Sequence, residues 1–446
     1  MRNKIIAAVS IFFFLVNTSA HGQEKKQLGL SEAIELSLKN SHLLKSNQAK
    51  IDEATAVLKE AVERRLPSAS VSGSYLRLAA ANFDLKTKSN NNGGTGTPAE
   101  TPKVSQAMYG IVSAALPIYA GGRIKYGIES SELLEKAARL DAEDDKDEVI
   151  QTTIEAFSTL FKANTAVRLV KENLAQSQQR AKDFGNLEKN GLLARNDLLK
   201  AELQSSNIEL NLLDAENNLQ LATINMNLML GLPTTTSLTL DTTGIERKND
   251  NRVLEDYLHL AFTNRKDLAA LDLRKKAAET GVKAVNAEKY PSVQLTGGYA
   301  AIDVPKVLTV TNAINIGVGV SYNIASLWKT KAKVQQAEAK VKQVVESEAM
   351  ANDGITLQVS KNYLALLSNR KKIEVYTRAY EQAKENYRIV KNKFDNSLAT
   401  TTDLLEADVA QLQASLGYTL AQADAFVAYN KLLQTAGILA TELKNK

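Results

Sequence analysis

Cysteine is absent from the 446 residues. That excludes disulfides, thiol chemistry, thiolate metal sites and a lipid-modified N-terminal cysteine, so no acyl anchor is expected. Histidine occurs three times, at His21, His42 and His259. No His pair at i,i+4 and no glycine-rich phosphate loop accompanies them, so no catalytic, cofactor-binding or metal-binding residue is expected. Proline is scarce, with 7 residues, and aromatic residues make up only 6%. Long Ala/Leu/Glu/Lys/Gln stretches take their place, a composition that suits long helices better than a compact aromatic core. Beyond the N-terminus no stretch approaches 18 consecutive apolar residues, so any membrane passage is made without transmembrane helices. The formal charge of +5 falls to about +3 without Arg2 and Lys4, which leaves no basic field for nucleic acid.

The N-terminus reads as a secretory signal, residues 1–20. Arg2 and Lys4 precede the apolar run 5–16, and Thr18-Ser19-Ala20 stands before a cut at His21. Beyond it the chain repeats itself. Leu66-Pro67-Ser68 through Tyr75 returns as Tyr290-Pro291-Ser292 through Tyr299, a shift of 224 (291 − 67). Further on, Asn190, Asp197, Leu198, Ala201 and Gly231 meet Asn396, Asp403, Leu404, Ala407 and Gly437 at a shift of 206. The first copy therefore holds 18 extra residues (224 − 206), within residues 86–103 and including Asn90 to Gly94. A repeat this long is no solenoid period. Each copy is expected to be a half-molecule: residues 21–231, a linker over 232–251, a second copy over 252–437, and a tail to 446.

Each copy opens with a helix, over 30–64 or 253–289, with Ser31 and Asp250 or Asn251 as N-caps. The period then changes to two. Ala69, Val71, Gly73 and Tyr75 alternate with serines; Val293, Leu295, Gly297 and Tyr299 alternate with Ser292, Gln294 and Thr296. Partner strands follow, giving strands at about 68–81, 104–119, 291–303 and 308–325, with Pro117 closing the second. One apolar and one small polar face over 10 or so residues is the transmembrane β-strand pattern. Very long helices come next, over 121–189 and 326–394, about 100 Å each at 1.5 Å per residue. Ile373, Tyr376, Tyr380, Ala383, Tyr387, Val390 and Phe394 step by 3 and 4, a coiled-coil seam. Tight turns lead to return helices over 196–230 and 401–436. The acidic run 143–148 reads as a solvated helix face.

Four transmembrane strands cannot close a barrel, since the smallest need about 8. Open edges cannot sit in lipid. The missing strands must come from other copies, two chains giving 8 and three giving 12. An outer-membrane barrel continuing into a helical tube, a conduit, is the economical reading.

The duplicated helix–strand–strand–helix plan resembles the TolC-type outer-membrane efflux family. So do the junction Leu116-Pro117-Ile118-Tyr119-Ala120-Gly121-Gly122-Arg123 and the tip runs Asn190-Gly191-Leu192-Leu193 and Asp403-Leu404-Leu405-Glu406-Ala407. The resemblance covers residues 28–440. It implies a fold that is mainly α with a β-barrel part, a homotrimer whose twelve-stranded barrel (four strands per chain) continues into a long α-helical barrel. It implies passive passage of exported solutes out of a Gram-negative-type envelope. The implied partners are a periplasmic adaptor (membrane fusion) protein, an inner-membrane pump and outer-membrane lipid. Alternatives are the duct of a type I protein secretion system and, in another class, a non-channel trimeric coiled-coil envelope protein.

Individual residues carry two readings each. Asp403 and Glu406 are acids in the first turns of a helix, where Thr400 and Asp403 form a variant capping box. By resemblance they are instead a periplasmic gate ring, with Asp197 the counterpart of Asp403. Lys200 stands opposite Glu406, and Ala399 departs from the arginine that the family often has in its tip. Gly191, Leu192, Leu193 and Ser397, Leu398, Ala399 make helix–helix turns, and by resemblance also meet the adaptor. Tyr119, Tyr290 and Trp328 at strand–helix junctions, with Tyr75 and Tyr299 within strands, are membrane-interface aromatics or ordinary packing.

Overall fold

The computed structural model describes residues 25–81, 104–241, 250–305 and 307–444. The signal region and the extra segment 86–103 lie outside the described residues. In chain order the elements are β1 (Lys25–Leu28), α1 (Leu30–Asn40), α2 (His42–Glu63), β2 (Ser68–Ala81), β3 (Val104–Ala120), α3 (Arg123–Lys189), α4 (Arg195–Leu230) and β4 (Ser237–Leu240). Then follow α5 (Leu254–Asn264), α6 (Lys266–Asn286), a 3-10 turn (Ala287–Lys289), β5 (Ser292–Val304), β6 (Leu308–Ser321), α7 (Ser326–Asp395), α8 (Thr401–Thr435) and α9 (Leu439–Lys444).

Two compact units are built from these elements. One comprises Met1–Asn47, Ala142–Lys266 and Asn352–Lys446; the other comprises Gln48–Asp141 and Asp267–Ala351. Each unit draws on both copies of the repeat. The physical reason lies in the sheet, where β3 of the first copy pairs with β5 of the second.

The second unit holds a four-stranded antiparallel sheet in the order β2-β3-β5-β6. Its register sorts the side chains by face. Val71, Val112, Tyr299 and Ile314 form one row across all four strands, and Ala69, Ala114, Gly297 and Ile316 form the next but one. Ser70, Ser113, Gly298 and Asn315 form the row between them, on the opposite face. One face is thus apolar and the other small and polar, as the period of two requires. Pro117 does not end its strand. It sits inside β3 where the register shifts between Pro117 and Tyr119, a place that tolerates the missing N–H. β6 stops at Ser321, short of residue 325, because Asn323 accepts the Ser326 and Ala325 N–H groups and starts α7. Between β3 and α3, Gly121 has φ 64°, and a Cβ there would meet the Ala287 carbonyl oxygen at 2.5 Å. Only glycine fits that turn. The helical part of this unit is tied by Ser130 Oγ to the Ala277 carbonyl (3.0 Å) and by Lys275 to Glu348 (2.9 Å).

The first unit is helical, with β1 and β4 paired in parallel. Ile154, Phe157, Met226, Leu230, Tyr257, Leu432 and Leu439 are at most 1% exposed and make its core. The opening helix of each copy is broken, where a single helix was expected. Ser41 (ψ 121°) and Arg265 (ψ 126°) are non-helical and equivalent at the shift of 224. At each break a side chain serves the end of a return helix. Asn40 Nδ2 donates to the Leu230 carbonyl (2.6 Å), and the Arg265 guanidinium donates to the Thr435 carbonyl (3.2 Å). These contacts satisfy carbonyls that a helix end leaves orphaned.

The expected N-caps are also corrected. Gly29 precedes α1 in place of Ser31, and Val253 precedes α5 with Asp256 reaching back to its N–H (3.0 Å). Asp250 is used elsewhere. Its carboxylate accepts from the Tyr257 hydroxyl (2.7 Å), the Tyr429 hydroxyl (3.3 Å) and the Arg252 N–H (3.0 Å). Arg370 donates to its carbonyl (3.2 Å), and Arg252 also binds Glu442 of α9 (2.7 Å). The acidic run is partly engaged, with Asp145 accepting from Asn47 (2.5 Å) and Glu143 3.8 Å from Lys266.

Candidate functional site at the helical tips

Two helix hairpins end in turns of the same build. In the first, Gly191 N–H donates to the Glu188 carbonyl (2.9 Å) and Leu192 N–H to that of Leu187 (2.8 Å). In the second, Ser397 N–H donates to Phe394 (2.9 Å) and Leu398 N–H to Lys393 (2.7 Å). Every partner is equivalent at the shift of 206. This is the Schellman closure of a helix, which needs a left-handed residue. Gly191 has φ 71° and Ser397 has φ 62°.

The turns divide their own residues. Leu192 and Leu398 are 74% and 76% exposed. Leu193 instead packs on a buried cluster of Phe184, Leu198, Ala201 and Leu404, and its counterpart Ala399 is half-buried. Phe184 stacks on Phe394 with ring centroids 5.3 Å apart. The cluster joins helices of both copies into one tip.

Asp403 closes a capping box. Its carboxylate accepts from Thr400 N–H (2.8 Å) and Thr400 Oγ1 (2.7 Å), and its own N–H donates to Thr400 Oγ1 (3.2 Å). These bonds, the backbone one foremost, hold its carboxyl below the usual carboxylate range. Glu406 has no hydrogen-bond or ion-pair partner among the described residues, and it lines two neighbouring cavities of about 430 and 470 Å³. Asp197 is paired with Lys200 Nζ at 3.4 Å, and the same ammonium donates to Thr402 Oγ1 (3.2 Å). The structure therefore sets the three acids in three different states: capped, open and neutralised.

A further polar group was missed in the sequence. Asp408 accepts from Arg180 Nη1 (3.0 Å) and Asn173 Nδ2 (3.3 Å), while Arg180 Nη2 donates to the Tyr387 hydroxyl (3.2 Å). The two charged side chains are 10% and 2% exposed. Burial works against the Arg180 charge, but the Asp408 hydrogen bond and charge outweigh it and raise its pKa. The signal was present: Asp408 stands four residues from both Leu404 and Leu412, a spacing that puts all three on one face of α8.

The interface aromatics stand on the sheet and its junctions. Tyr75, Tyr119, Tyr290 and Trp328 are 49–63% exposed, and Tyr299 is 37% exposed within the apolar row. Tyr75 donates to Gln106 (3.1 Å).

The family model for the outer membrane efflux protein matches residues 33–232 and 257–438. The chain belongs to the outer membrane efflux protein family. Its structure is similar to that of the outer membrane protein VceC from Vibrio cholerae, at 18% identity, covering 92% of this chain and 96% of that one, with a TM-score of 0.74. It is similar to the CmeC outer membrane channel of Campylobacter jejuni, at 17% identity, 93% and 88% coverage and a TM-score of 0.76. It also resembles the open state of the MtrE outer membrane channel of Neisseria gonorrhoeae, at 15% identity, 92% and 88% coverage and a TM-score of 0.73. No match is found among curated proteins. At these identities the structures speak for the fold, and the family model for the membership. Among the described residues no helix is long and apolar enough to cross a membrane, and no acidic, histidine or cysteine group is set to hold a metal ion.

Proposed function

We propose that three copies of this chain form an export duct through the outer membrane of a Gram-negative-type envelope. The duct passes solutes without energy of its own and works with a periplasmic adaptor protein and an inner-membrane pump. One observation carries the reading: the sheet has an apolar face and, among the described residues, two unpaired edges, β2 and β6. Ile314, Ile316, Val318 and Val320 on the edge strand β6 are 65–81% exposed. Such a strand is a liability in water and unstable in lipid unless a neighbouring copy pairs with it.

The helices support the same assembly. On α4, Leu198, Ala201, Ile208, Ala222 and Met226 are buried on one face, while Leu199, Leu203, Leu210, Leu213, Leu221 and Leu228 are 49–65% exposed. At about 100° per residue the two sets fall on opposite faces. On α7, Ile355, Val359, Leu366 and Ile373 are buried, and Leu357, Leu364 and Val375 stand opposite, 47–71% exposed. A helix with two opposed apolar faces has a neighbour on each side. We assign the bare faces of α4 and α7 to contacts between copies.

Asp403 and Glu406 form the gate in this reading, with Glu406 the more available charge because Asp403 is engaged by Thr400. The exposed Leu192 and Leu398, with Gly191, Ser397, Leu193 and Ala399 shaping their turns, form the adaptor contact. Single-channel recording in planar bilayers tests the proposal. The expected result is a stable, cation-preferring conductance blocked by divalent cations. In the Asp403→Asn, Glu406→Gln double variant both properties weaken. Absence of conductance rejects the duct, and unchanged selectivity in the variant reduces these acids to helix caps.

A further inference from the structure

The four places where sheet meets helix lie at one end of the sheet-bearing unit, because antiparallel pairing alternates strand direction. β3 ends at Ala120, β5 starts at Ser292 and β6 ends at Ser321, and these three residues are register partners. β2 begins on the same side at Ser68. Large apolar side chains stay in the open there: Leu66, Tyr119, Tyr290, Leu327 and Trp328 are 49–63% exposed.

Cations stand directly beside them. Arg65 follows α2, Arg123 and Lys125 open α3, and Lys329 and Lys331 lie in the first two turns of α7. All five are exposed, and none has a carboxylate partner among the described residues. Of the nearby acids, Glu60 is engaged by Arg64 (2.9 Å) and Glu288 by Lys333 (2.6 Å), while Glu129, four residues after Lys125, is exposed and forms no ion pair among the described residues.

Three of the five positions are not where helix electrostatics would put them. A helix start carries the positive end of the dipole and favours acids. α1, α4, α5, α6 and α8 follow this, with Glu32, Asp197, Glu255, Asp267 and Asp403 in their first turns. α3 and α7, the long helices that begin at the sheet, have no acid in the first turn. They carry Arg123, Lys125 and Lys329 there instead. α2 also lacks an acid in its first turn and carries Lys45 there, but at α3 and α7 the departure recurs at equivalent junctions of the two copies, beside the exposed apolar side chains, and fits an anion outside the chain.

We infer that this end of the sheet is a collar for anionic phospholipid headgroups. The exposed aromatic and aliphatic side chains lie at the acyl boundary, and the five cations reach past it to the phosphates. The apolar half of the collar selects a lipid over a free anion, because Trp328 and Leu327 offer nothing to phosphate alone. The inference rests on the proposed insertion of the sheet in a membrane.

The test uses the full chain in vesicles of phosphatidylcholine, alone or mixed with phosphatidylglycerol. Flotation reports insertion, and native mass spectrometry after mild extraction reports the lipids retained. The expected result is insertion in both vesicles, with phosphatidylglycerol retained roughly tenfold above its share of the vesicle. The variant carrying Arg65→Gln, Arg123→Gln, Lys125→Gln, Lys329→Gln and Lys331→Gln inserts and loses the enrichment. If it fails to insert, the milder Lys329→Gln, Lys331→Gln variant must lower the enrichment. Wild-type insertion without enrichment, or enrichment untouched in the variants, overturns the collar and leaves the duct standing. Failure of the wild type to insert in either vesicle overturns the membrane reading and the collar with it.

Discussion

Gly191 and Ser397 do the same backbone task with different side chains. A left-handed conformation costs an L-residue roughly 1 kcal/mol that glycine avoids. Ser397→Gly is therefore expected to stabilise the tip by up to about 1 kcal/mol, and Gly191→Ser to destabilise it by a similar amount. Denaturant unfolding followed by circular dichroism measures both, and a loss of stability in Ser397→Gly would show that the serine side chain matters beyond its backbone. Asp250 makes a second residue-scale test. Burial opposes its ionisation, but the hydrogen bonds from Tyr257 and Arg252 prevail and hold its carboxyl below the ordinary range. Its contribution to stability is present above the unfolded value near pH ~4 and is lost as pH falls through the folded value. Burial and the Asp250 charge push the Tyr429 hydroxyl up to about 12, and Tyr257, buried and bonded to Asp250, is raised further. Their contribution is full below the unfolded value near pH ~10 and is lost as pH rises through the folded values. Thermal midpoints should be level between about pH 5 and 9 and fall on both sides, with a shallower alkaline fall in Tyr429→Phe. An unchanged alkaline limb in that variant would remove Tyr429 from the network.

Among the elements, α4 bears the clearest unmet demand. Leu210→Glu with Leu221→Glu places charges on its bare face, away from Ile208 and Met226. Folding of the chain is expected to survive, because surface changes of this kind usually shift stability within about 0.5 kcal/mol. Assembly is expected to fail, and gel filtration with circular dichroism separates the two effects. Strands and long helices were legible in the sequence because alternation and the 3–4 step are local patterns, repeated in two copies. The breaks at Ser41 and Arg265 were not, because they answer to the ends of α4 and α8, far away in the chain. Asp250 read as a cap for the same reason: its true partners, Tyr257, Tyr429 and Arg252, are set by packing. At the tip, the turns were legible as Gly191 and its serine counterpart. The capped state of Asp403 was legible from Thr400, and the pairing of Asp197 with Lys200 from their i,i+3 spacing, but the bond from Lys200 to Thr402 needed a second helix to be placed. Asp408 was overlooked because a charged residue among apolar ones reads as surface until its partner Arg180 is found.

For the whole molecule, duplication explains why neither copy stands alone. The sheet joins them through β3 and β5, and the tip joins them through Phe184 and Phe394. What the described residues do not provide is closure, since among them β2 and β6 remain edges and the exposed apolar faces of α4 and α7 remain bare. The account's central claim is that other copies of the chain supply it. Light scattering of the detergent-extracted protein, corrected for bound detergent, measures this directly. The account predicts a protein mass of three chains, with no folded, membrane-inserted monomer. A stable monomer that keeps its β-signal in circular dichroism would contradict it.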